Sequence, residues 1–396
     1  MELSQYKNEM QSELSAILDY WQTHAIDNMS GGFYGKLDNF NNVTLDAPKG
    51  SVLNSRILWA FSAAYNLTGN AEYLSTAQRA FQFILDHFID KKNGGVYWSV
   101  NHKGEPFDTK KQIYALAFAI YGLSEFNLCA KNEKALQAAI ELYSLIIEHS
   151  LDKQNGGYLE ALSEDWSAIN DLRLSKKDAN EKKSMNTHLH VLEGFANLYR
   201  VWPDEVLKQR IADLINIFLK YIIDKKTSHL ISFFDENWNS RSNIISYGHD
   251  IEAAWLIQES AEIIGDHELL QKVKKQSVKI ADAAAKGLDK DGGLWYEYDV
   301  DKDHLIKEKH SWPQAESMIG FFNAWQLTGD ESYLEKSINS WKFTKKHILD
   351  KINGEWFWGV KEDYSRMDED KVGIWKCPYH NTRACIEMIQ RISKVM

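Results

Sequence analysis

One motif returns six times along this 396-residue chain and limits what the chain can fold into. An aspartate precedes paired glycines and then aromatic residues: Asp27 to Gly31-Gly32-Phe33-Tyr34, Asp90 to Gly94-Gly95-Val96-Tyr97-Trp98, and Asp152 to Gly156-Gly157-Tyr158. The glycines lapse at Asp224, where Phe233-Phe234 remain. The pattern then resumes at Asp289 to Gly292-Gly293-Leu294-Trp295-Tyr296 and at Asp350 to Gly354-Glu355-Trp356-Phe357-Trp358. The aspartates are spaced by 63, 62, 72, 65 and 61 residues. Such self-similarity outranks length as a guide to domain count, and residues 1–396 read as one domain. The charged stretch Ser175 to Lys183 reads as a surface loop that lengthens the 72-residue unit.

Within a unit the pattern is helical. Tyr73, Leu74, Ala77, Ala80, Phe81, Ile84, Leu85 and Phe88 fall at three- and four-residue steps, the signature of one buried helix face. A second helix, Leu53 to Tyr65, precedes it and ends at the turn Leu67-Thr68-Gly69-Asn70, which returns as Leu327-Thr328-Gly329-Asp330. The Gly-Gly-aromatic stretches alternate like short hairpin strands, as in Gly157-Tyr158-Leu159-Glu160. Six helix pairs form either an open solenoid or a closed (α/α)6 barrel, and periodicity does not choose between them. If every inner helix follows its hairpin, all the inner-helix starts share one rim with the hairpins, and polar residues found there converge.

Composition narrows the partners. A net charge of −10 disfavours nucleic acid and anionic membranes. The N-terminus lacks a secretory apolar core, and no apolar run approaches membrane-spanning length. Cys129, Cys377 and Cys385 are too few and too scattered for a disulfide framework, so a reducing, cytoplasmic compartment is expected. Fourteen tryptophans suit both core packing and stacking on sugar rings.

Near the inner-helix starts lie Arg56, Tyr114, Asn186 with His190, His249 with Glu252, Trp312-Pro313-Gln314, and Trp375 through Pro378-Tyr379-His380. Pro313 and Pro378 read as first-turn prolines. Most of the 13 histidines read as surface or satisfied core residues, with His188 and His310 flanking stronger candidates. His190, His249 and His380 recur in register. No His-x-x-x-His or His-Glu-x-x-His pair occurs, which disfavours a metal, and no phosphate-binding glycine loop calls for a nucleotide cofactor. Glu252 and Glu316 are candidates for a glycosidase carboxylate pair, but nothing assigns their roles. Imidazoles exchange protons near neutrality without heavy tuning, which suits proton removal and return at a sugar carbon beside an aldehyde. Arg56 suits the oxyanion that develops there. Glu252, one turn after His249, would orient that imidazole or bind a sugar hydroxyl.

Five stretches carry a family resemblance: Asp46-Ala47-Pro48-Lys49-Gly50 with Asn54-Ser55-Arg56, Met185 to Glu193, Ser246 to Ala253, Trp312 to Glu316, and Trp375 to Asn381. They closely resemble the cellobiose 2-epimerases, which belong with N-acylglucosamine 2-epimerases and mannose isomerases. The resemblance implies an all-α (α/α)6 barrel with short β-hairpins at one rim; no cofactor and no metal are expected, and the enzyme is expected to be a monomer. It also implies conversion of the reducing-end glucose of cellobiose or lactose to mannose, giving glucosyl-mannose or epilactose. By motif match, His249 and His380 would form the acid/base pair and His190 would assist ring opening and enediolate stabilisation. Arg56, Tyr114, Asn186 and Glu252 would bind the open-chain sugar, and Trp312 and Trp375 would stack on the disaccharide. An N-acylglucosamine 2-epimerase or an aldose–ketose isomerase is the alternative on the same scaffold, and a non-catalytic sugar-binding repeat protein is the alternative outside enzymes. Ser311 and Thr382 depart from the usual Trp and Gly of relatives.

Overall fold

A computed structural model describes residues 1–396 and contains twelve α-helices, introduced here in chain order. Six form an inner ring: α2 (Ser51–Thr68), α4 (Ile113–Ala130), α6 (Met185–Val201), α8 (Tyr247–Ile264), α10 (Ser311–Thr328) and α12 (Tyr379–Val395). Each packs on the next, and α12 packs back on α2, so the repeat closes into a barrel rather than an open solenoid. The outer helices are α1 (Leu3–Tyr20), α3 (Ala71–Phe83), α5 (Glu133–His149), α7 (Glu205–Ile217), α9 (His267–Ala285) and α11 (Glu331–His347). The sixth pair joins the two ends of the chain, because α1 packs against α12.

Hydrophobic pattern decides which helix goes where. In α3 the buried residues are Tyr73, Thr76, Ala77, Ala80, Phe81 and Phe83, a stripe that faces inward and leaves the other side wet. In α4 every residue from Ile113 to Asn127 is buried, since it has neighbours on all sides. That helix overturns one expectation from the sequence: with a mean hydropathy of 1.4 it is long and apolar enough to cross a membrane, but 83% of it is buried inside the protein. One contiguous apolar cluster of 100 residues runs from Tyr6 to Ile392.

The repeated corner is built by paired caps. Gly69 ends α2 in the left-handed region at φ 71°, and the Asn70 side chain then accepts from the Glu72 N–H to start α3. Lys131 takes the same conformation after α4 at φ 48°, which explains why the corner glycine is not universal. Close approach makes a different demand at Gly194 in α6, where a Cβ would stand 2.6 Å from the Ala117 carbonyl of α4.

The other rim explains the repeated aspartate. Asp27 accepts from the N–H groups of Met29 and Ser30, closing its turn, and its second oxygen meets Lys49 at 2.8 Å. The same pair recurs, each time with its lysine buried, as Asp90–Lys111 at 2.6 Å, Asp152–Lys183 at 2.8 Å, Asp289–Lys309 at 2.7 Å and Asp350–Lys371 at 2.5 Å. Lys183 therefore belongs to the buried frame and not to the surface loop expected for Ser175 to Lys183. In the fourth unit Ile245 stands two residues before the helix, and a His229–Asp250 pair at 2.6 Å serves instead.

Strand pairing also differs from the local hairpins expected. The Gly-Gly turns are closed by single bridges such as Ile89–Val96 and Leu151–Tyr158. The ladders mostly join successive units: Lys49–Gly50 with Ser99–Val100, Lys111–Gln112 with Ala161–Leu162, and Lys183–Ser184 with Phe233–Phe234. A true hairpin forms at Glu297–Asp299 with His304–Ile306. Each inner helix except α12 thus leaves a strand pinned to its neighbour, which sets where its first turn points.

Candidate active site

The first two turns of the inner helices carry the polar residues that the repeat register singled out. Arg56 comes from α2, Tyr114 from α4, Asn186 and His190 from α6, His249 and Glu252 from α8, Trp312 from α10 and His380 from α12. Trp375 lies in the loop just before α12, and Pro378 caps that helix from outside, whereas Pro313 does sit in the first turn of α10. The Trp312 ring centre is 4.7 Å from that of His249 and 5.5 Å from that of His380. Tyr114 lies 5.1 Å from His190 and 5.9 Å from Trp375. Residues separated by up to 324 positions therefore line one pit.

The three pit imidazoles are each anchored at Nδ1. His190 donates from Nδ1 to Glu193 at 2.9 Å, His249 pairs through Nδ1 with Ser246 Oγ at 2.8 Å, and His380 pairs through Nδ1 with Glu316 at 2.7 Å. Each keeps Nε2 free of protein partners, the arrangement that orients a ring for proton transfer. His188 uses both nitrogens, donating to the Ser184 carbonyl at 2.6 Å and accepting from the Tyr158 N–H at 2.9 Å. It is a satisfied core residue. His310 stacks on Tyr296 at 3.9 Å and pairs with Glu308.

Beneath the imidazoles lies a charge network that the sequence reading largely missed. Arg383 reaches Glu252 at 2.6 Å and Glu316 at 2.7 Å through Nη2, and Glu193 through Nη1. Tyr379 also donates to Glu193, and Trp255 donates to Glu316 at 3.0 Å. Glu252 consequently does not orient His249 as expected; its carboxylate turns to Arg383 and stands 3.9 Å from His380 Nδ1. A signal for this network was present in spacing. Glu193, Glu252 and Arg383 each follow a pit histidine by three residues, the position one turn deeper on the same face.

Burial sets the electrostatics. Desolvation, followed by the His190 charge, pushes His249 down to about 3, and desolvation with Arg56 and Arg383 holds His380 well below the usual imidazole value. Desolvation and the Glu316 charge raise Glu252 to about 8 against the pull of Arg383, and burial raises Glu316 too. Burial opposes the charge on Glu193, yet Arg383 and the His190 bond hold it at about 2. Three carboxylates around one guanidinium carry excess negative charge, which together with burial raises Glu252 and Glu316. Glu252, Glu316 and His380 would by type suit a divalent cation; Arg383 already sets its positive charge against both carboxylates.

Arg56 is different. No carboxylate lies within ion-pair distance of it; it donates to the Tyr114 hydroxyl at 2.8 Å and lies 4.1 Å over the Phe118 ring and 4.7 Å over Tyr379. Its Nε and the Oδ1 of Asn186 have no protein partner. A buried cation held by aromatic faces keeps its charge available for an anion.

A closed barrel of helix pairs with an imidazole- and indole-lined pit at the inner-helix starts defines an (α/α)6-barrel enzyme acting on carbohydrate. Residues 31–384 match the model of the N-acylglucosamine 2-epimerase (GlcNAc 2-epimerase) family. The chain belongs to that family. It is 49% identical over 385 residues to a cellobiose 2-epimerase of Bacteroides fragilis, covering 97% of this chain and 98% of that one. It is 38% identical over 402 residues to a cellobiose 2-epimerase of Dictyoglomus turgidum, covering 99% and 100%. The solved cellobiose 2-epimerase of Bacillus thermoamylovorans superposes with a TM-score of 0.94 at 39% identity, over 98% of this chain and 100% of that one.

Proposed function

We propose that this protein is a cellobiose 2-epimerase, converting the reducing-end glucose of β-1,4-linked disaccharides to mannose. Cellobiose gives glucosyl-mannose and lactose gives epilactose. The observation that carries the mechanism is the pair His249 and His380, each anchored at Nδ1 with Nε2 free and both beside Trp312.

Once the sugar ring is open, one imidazole removes the C2 proton and the electron pair moves onto the carbonyl oxygen, forming a cis-enediolate. Arg56 stabilises the oxyanion, since its charge has no competing carboxylate. The other imidazole returns a proton to the opposite face of C2. His190, fixed by Glu193, moves protons between the ring and anomeric oxygens during opening. His380 draws its proton from the Glu316 and Glu252 group, so the two histidines exchange acid and base duties with direction. Trp312 and Trp375 stack on the disaccharide, while Tyr114 and Asn186 bind the open chain. Three free cysteines fit a cytoplasmic setting.

Incubating cellobiose with the enzyme in deuterated water is expected to give glucosyl-mannose labelled at C2. A ketose as the main product would instead mean reprotonation at C1, an aldose–ketose isomerase. Turnover of N-acetylglucosamine in preference to cellobiose would move the substrate to the N-acylhexosamines, and no turnover of any of them would overturn the enzyme reading.

A further inference from the structure

A second pit, of about 370 Å³, lies among the C-terminal halves of the inner helices. Its volume is in the range of small-molecule sites. Arg383 and Glu193 form its deepest part, the same pair that from the other side supports His190 and His380. Aromatic faces stand on its walls, with Trp59 and Tyr121 stacked at 5.1 Å and 9°. Asn66, Arg200 and Gln390 line it at the outside and are exposed, so it opens at the rim opposite the catalytic pit.

The charges in this second pit are paired, with one exception. Glu125 accepts from Asn66 at 2.6 Å and meets Arg200 at 3.4 Å, and Glu387 meets Arg391 at 2.9 Å. Glu259, on the α8 wall, has no hydrogen-bond or ion-pair partner, and burial with the nearby Glu387 charge raises its carboxyl to about 7. In the deepest part, Arg383 has a side chain only 1% exposed and an Nε with no acceptor. One cavity thus holds an unpartnered acceptor, an unpartnered buried donor and flat apolar faces. A simple cation answers only Glu259, and a simple anion answers only Arg383. A hydroxyl-rich neutral molecule answers both, since each hydroxyl donates and accepts, and its C–H faces lie against indole and phenol rings.

From this geometry we infer a second binding site at the back of the barrel, for a neutral polyhydroxylated molecule of about monosaccharide size. It is distinct from the catalytic pit and shares its floor. Methyl β-glucopyranoside, whose ring cannot open, and sorbitol are the cyclic and acyclic probes, titrated calorimetrically into the full chain. At least one is expected to bind with a dissociation constant of roughly 1–10 mM. Binding is expected to survive Trp312→Ala, which alters only the catalytic pit. It is expected to weaken about tenfold or more in Glu259→Leu and in Ala63→Leu, which fills the cavity without changing charge. If either variant fails to fold, the other decides the question. Absence of binding by both probes up to about 50 mM overturns the inference. Binding abolished by Trp312→Ala but kept by the back-pit variants overturns it too, by placing the probe in the catalytic pit. The assay requires no turnover, so a failure of the epimerase reading would leave this result interpretable.

Discussion

His249→Asn and His380→Asn keep a polar amide near the Nδ1 position but remove the titrating Nε2. Each is expected to lower kcat by roughly 10²–10⁴ while changing KM by only a few-fold, measured by product formation from cellobiose. Arg56→Lys keeps the charge but loses the fork, and is expected to lower kcat by about 10². The pH profile follows from two opposed shifts. His249, held at about 3, stays neutral down to strongly acid pH, while Glu252, raised to about 8, keeps its proton only below that value. Activity is therefore expected to fall on the alkaline side with an apparent pKa near 8, and Glu252→Gln is expected to abolish that limb. The sign for stability is the same. The native carboxyl holds a proton that the unfolded chain releases at 4.5, so this group's contribution is lost as pH rises from 4.5 towards 8. At this scale the sequence placed the three histidines by register alone. Their orienting partners Ser246, Glu193 and Glu316 were not assigned, because repeat spacing reports which rim a residue occupies and not which way its ring turns.

The decisive elements are the inner helices and the short segments that feed them. Lys111 and Asp90 both have fully buried side chains, so Lys111→Met leaves a carboxylate without its cation. The expected cost is roughly 3–5 kcal/mol, read as a loss of denaturation midpoint. Gly194→Ala places a methyl against the α4 backbone next to Glu193, and a cost of about 1–3 kcal/mol is expected, with a fall in kcat as α6 is displaced. The helix pairs and their corners were legible because a 3.6-residue stripe and a cap are local. The partner of each repeated aspartate was not recognised. Its lysine lies 20 to 31 residues downstream, and only the folded turn brings the two together. Strand pairing escaped for a similar reason: two-residue strands have too little alternation to reveal a partner, and most of their partners lie in the next unit.

Ring closure is the property of the whole molecule. The N-terminal helix α1 completes the pair whose inner member, α12, carries His380 and Arg383. Met10 is fully buried in α1, and Met10→Ala is expected to cost about 2–5 kcal/mol, measured by chemical denaturation. From the sequence alone came the repeat, the all-helical class, the common rim and the histidines on it, since period, amphipathicity and cap residues are written over a few turns of chain. Tertiary structure decided closure over an open solenoid, the pairing of units across strands, and the convergence of three carboxylates on Arg383. Those depend on how six inner helices tilt and pack against one another. Burial at the axis then shifts each titrating group by an amount that no linear spacing encodes.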